Sequence, residues 1–255
     1  MTILQRNDTG AIATLTMDAP ARLNALSDEM IAALHEAFDA IANDKAVKVV
    51  VLKGTGKAFC AGHNLKEMQA KSPSELKDLF DRCAAMMLRI QSLPQPVIAQ
   101  VHGLATAAGC QLVATCDLAV ADSDCKFGVN GVNIGLFCST PMVALTRNIG
   151  KKAAFEMLTT GDFIRSVKAQ ELGLINRHVP AADLDAETQA LAKQLASKLG
   201  SAVRIGKAAF YAQAQMTTAE AYAFTGDVMV ENMGNDDTSE GIAAFLEKRH
   251  PNWTL

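Results

Sequence analysis

The sequence carries no excess of charge of either sign. Its 255 residues include 24 lysines and arginines and 27 aspartates and glutamates, which gives a formal net charge of -3. A protein that binds nucleic acid normally presents a basic face, so this balance argues against nucleic acid as a partner. With 49% hydrophobic residues, the chain is long and apolar enough to bury one core of ordinary size.

Long hydrophobic runs are also missing. The first ten residues contain no apolar segment of the kind found in a secretion signal, and no run reaches the length needed to span a bilayer. We therefore expect a soluble protein that does not enter a membrane.

Closely spaced cysteine pairs are absent as well. The six cysteines stand singly, mostly in apolar surroundings, and none forms the C-x-x-C spacing of zinc or redox sites. This pattern favours reduced, buried thiols, predicts a cytoplasmic location and argues against a metal site.

What the sequence does contain is a stretch of small residues between two apolar runs, at residues 101–121. It predicts a strand, a tight turn at Gly103, a buried helix and a second strand. If Ala107 or Ala108 opens the helix, the first N–H groups lack partners and carry the positive end of the helix dipole, which suits a developing oxyanion. Gln111 then lies one turn further on the same face. The alternative is that small residues only let the helix pack closely on a sheet.

Residues 49–68 repeat this design with a buried strand, a glycine-rich connection and a helix. Two such turns could aim two N–H groups at one carbonyl oxygen. After Ser72, a capping sequence with Pro73 and Glu75 predicts a further helix. Its apolar stripe, which includes Phe80, is predicted to belong to the core and not to contact a cofactor.

Six segments resemble, in the same order, those of the crotonase, or enoyl-CoA hydratase/isomerase, superfamily. They are residues 22–27, 58–68, 102–111, 133–136, 158–161 and 240–249. The resemblance implies an α/β fold, a crotonase-like spiral of ββα units over residues 1–200. It also implies a C-terminal helical portion over residues 201–255 that covers the site and builds homotrimers or homohexamers. A recurrence of strand, turn and helix about every 45 residues is consistent with such a spiral.

The resemblance also implies acyl-CoA thioesters as substrates, with coenzyme A as part of the substrate and no tightly bound cofactor. The backbone N–H groups of His63 and Ala108 would form the oxyanion hole that polarises the thioester carbonyl. Two residues of the C-terminal helix, from the same or a neighbouring subunit, would join five others around CoA. The set implied for CoA binding is Ala25, Leu26, Ala61, Asn64, Leu65, Phe245 and Lys248.

Hydratases of this superfamily use two glutamates as acid and base, and neither is present here. Gln111 and Gly131 stand at or near those positions, and no Asp or Glu occurs between Asp124 and Glu156. An amide does not exchange protons at neutral pH, and each acid-base group contributes roughly 10²- to 10⁴-fold. We therefore expect hydration to be very slow. Ser139 lies in a segment where the family often places functional side chains opposite the thioester.

Three functions remain open at this stage. One is an acyl-CoA enzyme of the family with a changed acid-base set. Another is a malonyl-type acyl-CoA decarboxylase, because His63 resembles the histidine of such enzymes and decarboxylation needs no base. In that case the imidazole anchors a carboxylate or donates a proton; otherwise His63 contributes only its N–H. The third is a catalytically silent acyl-CoA-binding protein. Thioester hydrolysis would need a base beside Cys138 or Ser139, and the sequence indicates none.

Overall fold

The computed structural model describes residues 2–253, which contain two sheets and eleven α-helices. The six-stranded sheet has the order β1-β2-β3-β4-β6-β9, and the three-stranded sheet has the order β5-β7-β8. All strand pairs are parallel except β1–β2 and β7–β8. The strands are β1 (Leu4–Thr9), β2 (Ile12–Met17), β3 (Val49–Gly54), β4 (Val97–Val101), β5 (Leu104–Thr106), β6 (Leu118–Asp122), β7 (Lys126–Gly128), β8 (Ile164–Arg165) and β9 (Arg177–Val179).

The first helices connect successive strands, and the chain after β9 is helical. The helices are α1 (Asp28–Ala42), α2 (Leu65–Gln69), α3 (Pro73–Ser92), α4 (Ala108–Thr115), α5 (Ser139–Asn148), α6 (Lys151–Thr160), α7 (Ser166–Leu172), α8 (Leu184–Ala196), α9 (Gly200–Gln213), α10 (Thr218–Met233) and α11 (Asp236–Leu246). Parallel strands joined by helices on both faces confirm the predicted α/β class with a helical C-terminal region. Among the described residues, no helix is both long and apolar enough to cross a bilayer.

The central strand β3 separates two apolar layers. Val50 and Leu52 face the larger core, which includes residues of α1 and α3. Val49 and Val51 face the opposite layer against α8. Because successive side chains of a strand point to opposite faces, a strand covered on both sides is continuously apolar. The apolar run that predicted β3 therefore arises because both faces of this strand are covered.

Two side-chain caps set the starts of the long helices. The hydroxyl of Ser27 accepts the Met30 N–H at 3.2 Å at the start of α1. At the start of α3, Ser72 and Glu75 form the predicted capping box, with the Ser72 N–H donating to the Glu75 carboxylate at 2.7 Å. These caps satisfy backbone N–H groups in the first turn of each helix, and both helices pack in the same larger core.

The C-terminal helices join the spiral through α9. Lys207 of α9 is buried, and its ammonium donates to Ile90 O, Gln95 O and Asp117 Oδ2 at 2.6–3.0 Å. By contrast, α10 buries none of its residues. The division at residue 200 stays a prediction, although α9 begins there, and the outer ends of both predicted portions, residues 1 and 254–255, lie outside the described residues.

Candidate active site

Two turns of the chain meet beside a cavity. The segment after Lys57 runs parallel to the segment after Val101, with Phe59 N–H donating to His102 O at 3.1 Å. Cys60 extends this pairing in both directions, because its N–H donates to Leu104 O and its carbonyl accepts the Thr106 N–H at 3.0 Å. The two segments therefore reach their turns side by side.

Two glycines let the turns approach each other. A Cβ at Gly109 would lie 2.1 Å from Cys60 O, so no side chain fits there. Gly62 has a φ of +84°, and a Cβ on it would lie 3.1 Å from the Ala108 nitrogen. The turn that ends at His63 is thus placed directly against the first residue of α4.

Ala107 holds an unusual backbone conformation at this junction, with φ 51° and ψ -121°. Its N–H donates to Gly128 O at 2.9 Å, and α4 begins at the next residue. A non-glycine residue at positive φ is strained, and such strain concentrates at functional sites. Neither the Ala108 N–H nor the His63 N–H donates a hydrogen bond to another described residue.

The cavity beside this junction has a volume of about 750 Å³. Eight of the residues singled out in the sequence line it, and they come from four separate segments. These eight are Ala25, Ala61, His63, Asn64, Leu65, Ala108, Gly131 and Ser139.

Four residues singled out in the sequence do not line the cavity. Leu26 is fully buried, and its N–H donates to Gly62 O at 2.8 Å, so it supports the His63 turn from behind. Gln111 is buried in α4 with its Oε1 unpartnered among the described residues. Phe245 is 82% exposed at the end of α11, and Lys248 follows that helix.

Several cavity residues were not identified in the sequence. Phe80 lines the cavity although its stripe was assigned to the core, because it sits at the edge of that stripe and is half-buried. Arg22 and Lys66 bring positive charge to the cavity wall. Thr106 and Asn130 also line it, and the Thr106 hydroxyl donates to Asn130 Oδ1 at 2.5 Å. Thr106 stands immediately before the small residues Ala107 and Ala108, and this position is the sequence feature that could have identified it as a cavity residue.

The imidazole of His63 packs edge-on against Phe80, with ring centroids 5.4 Å apart. Its Nε2 is enclosed and has no hydrogen-bond partner among residues 2–253. Burial lowers the pKa of His63 to about 4, because the protonated ring would lose hydration without gaining a partner. At neutral pH His63 is therefore an uncharged imidazole.

Asn64 organises the loop that carries His63. Its Oδ1 caps α2 by accepting the Lys66 N–H at 3.2 Å, and its Nδ2 donates to Glu67 Oε1 at 2.7 Å. The other oxygen of Glu67 accepts the Asp28 N–H at 3.1 Å. Glu67 is thereby tied to the loop, and none of the described residues that line the cavity is an Asp or Glu.

The hydroxyl and thiol on the opposite wall lack an activating base. Ser139 Oγ donates weakly to Phe137 O at 3.4 Å. Burial raises the pKa of the Cys138 thiol. Neither group forms a hydrogen bond with a histidine or a carboxylate among the described residues, so the arrangement does not provide an activated nucleophile.

Comparison with known proteins gives a consistent result. The family model described as enoyl-CoA hydratase/isomerase matches residues 7–255. A relative from Xenopus laevis named mitochondrial enoyl-CoA hydratase domain-containing protein 3 is 43% identical, over 100% of this chain and 86% of its own. The crystal structure of an enoyl-CoA hydratase from Mycobacterium smegmatis has a TM-score of 0.97 and 53% identity, and the match covers 99% of both chains. That of human enoyl coenzyme A hydratase domain-containing protein 3 has a TM-score of 0.96 and 41% identity, over 98% of this chain and 100% of the other.

The cytoplasmic location predicted from the cysteines is wrong by this comparison. The relatives from Xenopus laevis, Mus musculus and Homo sapiens are all named as mitochondrial, which points to mitochondria and not to the cytoplasm. All six cysteines are indeed free and buried. Free thiols argue against an oxidising compartment, however, and do not distinguish between two reducing ones.

Proposed function

The chain belongs to the enoyl-CoA hydratase/isomerase family, and on that premise we propose that it binds acyl-CoA thioesters and polarises their carbonyl with the backbone N–H groups of His63 and Ala108. The observation that carries the proposal is the junction of the two turns. Both N–H groups lack a partner among the described residues, and both residues line the cavity.

Such a junction stabilises an enolate-like state. As the α-carbon gains electrons, negative charge develops on the thioester oxygen, and two fixed donors meet that charge without reorganising. Ala108 adds the positive end of the α4 dipole. In acyl-transfer enzymes the removal of one such donor costs about 10²- to 10³-fold in rate. Backbone donors also persist when side chains change, so Ala at position 108 is compatible with this role.

Coenzyme A enters as part of the substrate, with no separate cofactor. Ala25, Ala61, Asn64 and Leu65 supply the CoA side of the cavity wall, and Leu26 acts by holding the turn behind it.

The C-terminal helix is assigned to a neighbouring CoA site. Phe245 and Lys248 do not line the cavity of their own chain, so in this proposal they serve a neighbouring subunit of a homotrimer or homohexamer. The exposed apolar side chains of α10 and α11, among them Tyr222 and Leu246, support such an assembly.

Ordinary hydration does not fit the wall of this cavity. Adding water needs a base and an acid near adjacent carbons, and the described lining residues include no carboxylate. Gln111 lies outside the lining and cannot exchange protons. The supported chemistry is therefore a reaction driven by enolate stabilisation.

Decarboxylation of a malonyl-type thioester is the second candidate. The wall carries Arg22, His63 and Lys66 and no described Asp or Glu, so a substrate carboxylate meets no like charge. The bond between the α-carbon and the carboxylate breaks and carbon dioxide leaves. The electron pair of that bond stays on the α-carbon and forms the enolate, whose oxygen accepts from the two N–H groups. A proton from solvent water then adds to the α-carbon, in the place that the carboxylate has left. His63 is uncharged and its Nε2 is enclosed, so in this scheme any N–H contact from the ring to the substrate comes from Nδ1.

The experiment that tests the proposal is infrared spectroscopy of butyryl-CoA with a ¹³C-labelled thioester carbonyl. A carbonyl that accepts two hydrogen bonds vibrates at a lower frequency than the same carbonyl in water-excluded surroundings without donors. We expect the carbonyl band of butyryl-CoA to move to a lower frequency when the free thioester binds to the wild-type protein. A carbonyl band that stays unshifted in a saturated complex would contradict the proposal.

A further inference from the structure

We propose that Asn130 is a specificity-determining residue whose amide N–H donates to an oxygen on the acyl group. The site would then favour acyl-CoA thioesters with a hydrogen-bond acceptor on the carbon two bonds from the thioester carbonyl. This inference rests on the proposed function, because it requires an acyl-CoA in the cavity.

The amide of Asn130 is held in one orientation. Its Oδ1 accepts the hydroxyl of Thr106 at 2.5 Å. Thr106 is 8% exposed and belongs to β5, which pairs with β7 at Gly128, so the donor itself is fixed by the sheet. An amide whose oxygen is bound in this way presents its Nδ2 on the opposite side.

That Nδ2 is a free donor. It makes no hydrogen bond with any residue in the described part of the chain, and it is not enclosed by protein atoms. Asn130 is a lining residue of the cavity, and we infer that the free Nδ2 is the atom it presents there. The Nδ2 of Asn130 differs in exposure from Gln111 Oε1 and His63 Nε2, which also lack a partner within the described residues but are enclosed by protein atoms.

The position of this donor relative to the oxyanion junction follows from the chain. Thr106 is two residues before Ala108, and consecutive Cα atoms lie about 3.8 Å apart, so their Cα atoms are within about 7.6 Å. Asn130 is hydrogen-bonded to Thr106 and directly precedes Gly131, and all three residues line the cavity. In this proposal, an acyl chain whose carbonyl oxygen accepts from the Ala108 N–H therefore has its first carbons within reach of Asn130.

The surroundings make the donor selective. Ile134, Leu136 and Phe137 give the same wall an apolar character. A second asparagine of this loop, Asn133, lines the cavity too, but its Nδ2 already donates to Gly161 O at 3.3 Å. A ligand that displaces water from a free donor and offers no acceptor leaves that donor unpaired. The site therefore binds such a ligand less tightly than one that carries an acceptor. Acceptors of this kind include a ketone, a hydroxyl and a carboxylate at the same carbon.

The test is calorimetric titration of the full chain with butyryl-CoA, acetoacetyl-CoA and malonyl-CoA. The first lacks the acceptor oxygen, the second has a neutral one and the third a charged one. We expect wild-type protein to bind acetoacetyl-CoA roughly three- to tenfold more tightly than butyryl-CoA, the range for one hydrogen bond. A larger gain for malonyl-CoA would identify the preferred acceptor as a carboxylate, and an equal or smaller gain would identify it as a neutral oxygen.

Three variants connect this preference to the amide. Asn130→Leu should abolish the ratio between acetoacetyl-CoA and butyryl-CoA, and Asn130→Asp should invert it by opposing two acceptors. Thr106→Val should reduce the ratio because the amide loses its orientation, whereas Thr106→Ser should retain it. Asn133→Leu is the matched control, since its amide is already bonded, and it should keep the wild-type ratio.

The outcomes separate the two proposals. If wild-type protein binds both ligands equally, or if the ratio survives Asn130→Leu, the role of Asn130 is contradicted and acyl-CoA binding stands. If no CoA thioester binds, the proposed function itself fails and the role of Asn130 fails with it.

Discussion

The thiol of Cys138 occupies the space that a side chain on residue 131 would need. A Cβ at Gly131 would lie 2.8 Å from Cys138 Sγ and 2.2 Å from Leu136 O. The second of these atoms belongs to the backbone and cannot rotate away. The missing carboxylate at position 131 is therefore a property of the whole loop between β7 and α5, and not of a single replaced residue.

Restoring the two glutamates should consequently fail to restore hydration. In the variant Gln111→Glu with Gly131→Glu, the second side chain displaces the loop, and overpacking of this kind typically costs about 1–3 kcal/mol. We expect a lower free energy of unfolding in urea and no enzymatic gain of water by crotonyl-CoA. Gly150→Ala, where an added Cβ meets no atom within 4 Å, is the control and should change stability little. A stable double variant that hydrates crotonyl-CoA efficiently would contradict the account of the loop.

The Gly62 turn should be essential for carbonyl polarisation. Gly62→Ala forces a side chain into a φ of +84° and brings its Cβ to 2.9 Å from Ala107 Cβ, so the two turns must separate. A misplacement of about 1 Å at reacting atoms can cost on the order of 10²-fold. We expect the infrared shift of the bound thioester carbonyl to disappear.

The matched control for that variant is Gly10→Ala. Gly10 has a φ of +59° in the turn between β1 and β2, with no atom within 4 Å of an added Cβ. Both variants introduce backbone strain of about 1–2 kcal/mol, but only the Gly62 variant moves the junction. Equal carbonyl shifts in the two variants would show that the junction is not the polarising group.

His63 should make the native state less stable in acid. The pKa of the folded His63 is about 4, below the value of 6.5 for an exposed histidine, so the unfolded chain takes up the proton first as the pH falls. The stability associated with the neutral ring is complete above pH 6.5 and is lost progressively down to about pH 4. Between pH 7.5 and pH 5 the loss is about 2 kcal/mol.

Urea unfolding at those two pH values measures this effect. His63→Gln removes the titrating group, so its free energy of unfolding should fall less between pH 7.5 and pH 5 than that of the wild type. His35→Gln, which removes a solvent-accessible imidazole, controls for the loss of a histidine in general. If His63→Gln retains the full wild-type pH dependence, the ring of His63 is not the buried neutral group described here.

The buried ion pair between Lys207 and Asp117 should be a main attachment of the C-terminal helices. Lys207→Met leaves the Asp117 carboxylate without its cation, although the Val97 N–H and the Tyr211 hydroxyl still donate to it. Breaking one side of a buried pair typically costs about 3–5 kcal/mol. Lys168→Met, which breaks an exposed pair with Glu171, should cost less than about 1 kcal/mol. Equal losses in urea unfolding would contradict the structural role of Lys207.

The parts of the fold that sequence reasoning predicts depend on local chemistry. Ser27 and Ser72 precede apolar stripes with helical spacing, and β3 is continuously apolar because both its faces are covered. The strand β1 was not predicted because only its first residue, Leu4, is buried, which leaves no alternating pattern. The strand β8 has two residues, too few for any pattern.

The site was predictable where it depends on the backbone. Small residues around Ala108 and Gly62 indicated two turns that approach one oxygen. The contact between Thr106 and Asn130 joins residues 24 positions apart, and the strained Ala107 stands where sequence rules favour glycine. These features arise from tertiary packing, which one sequence does not display.

The most direct test of the account is a mass-spectrometric measurement of the products formed from crotonyl-CoA and methylmalonyl-CoA, each against a control without enzyme. The account holds that carbonyl polarisation persists without carboxylate acid-base groups. It therefore predicts no enzymatic gain of water by crotonyl-CoA, while loss of carbon dioxide from methylmalonyl-CoA is compatible with the site. Conversion of crotonyl-CoA to its hydrate at an enzymatic rate would contradict it.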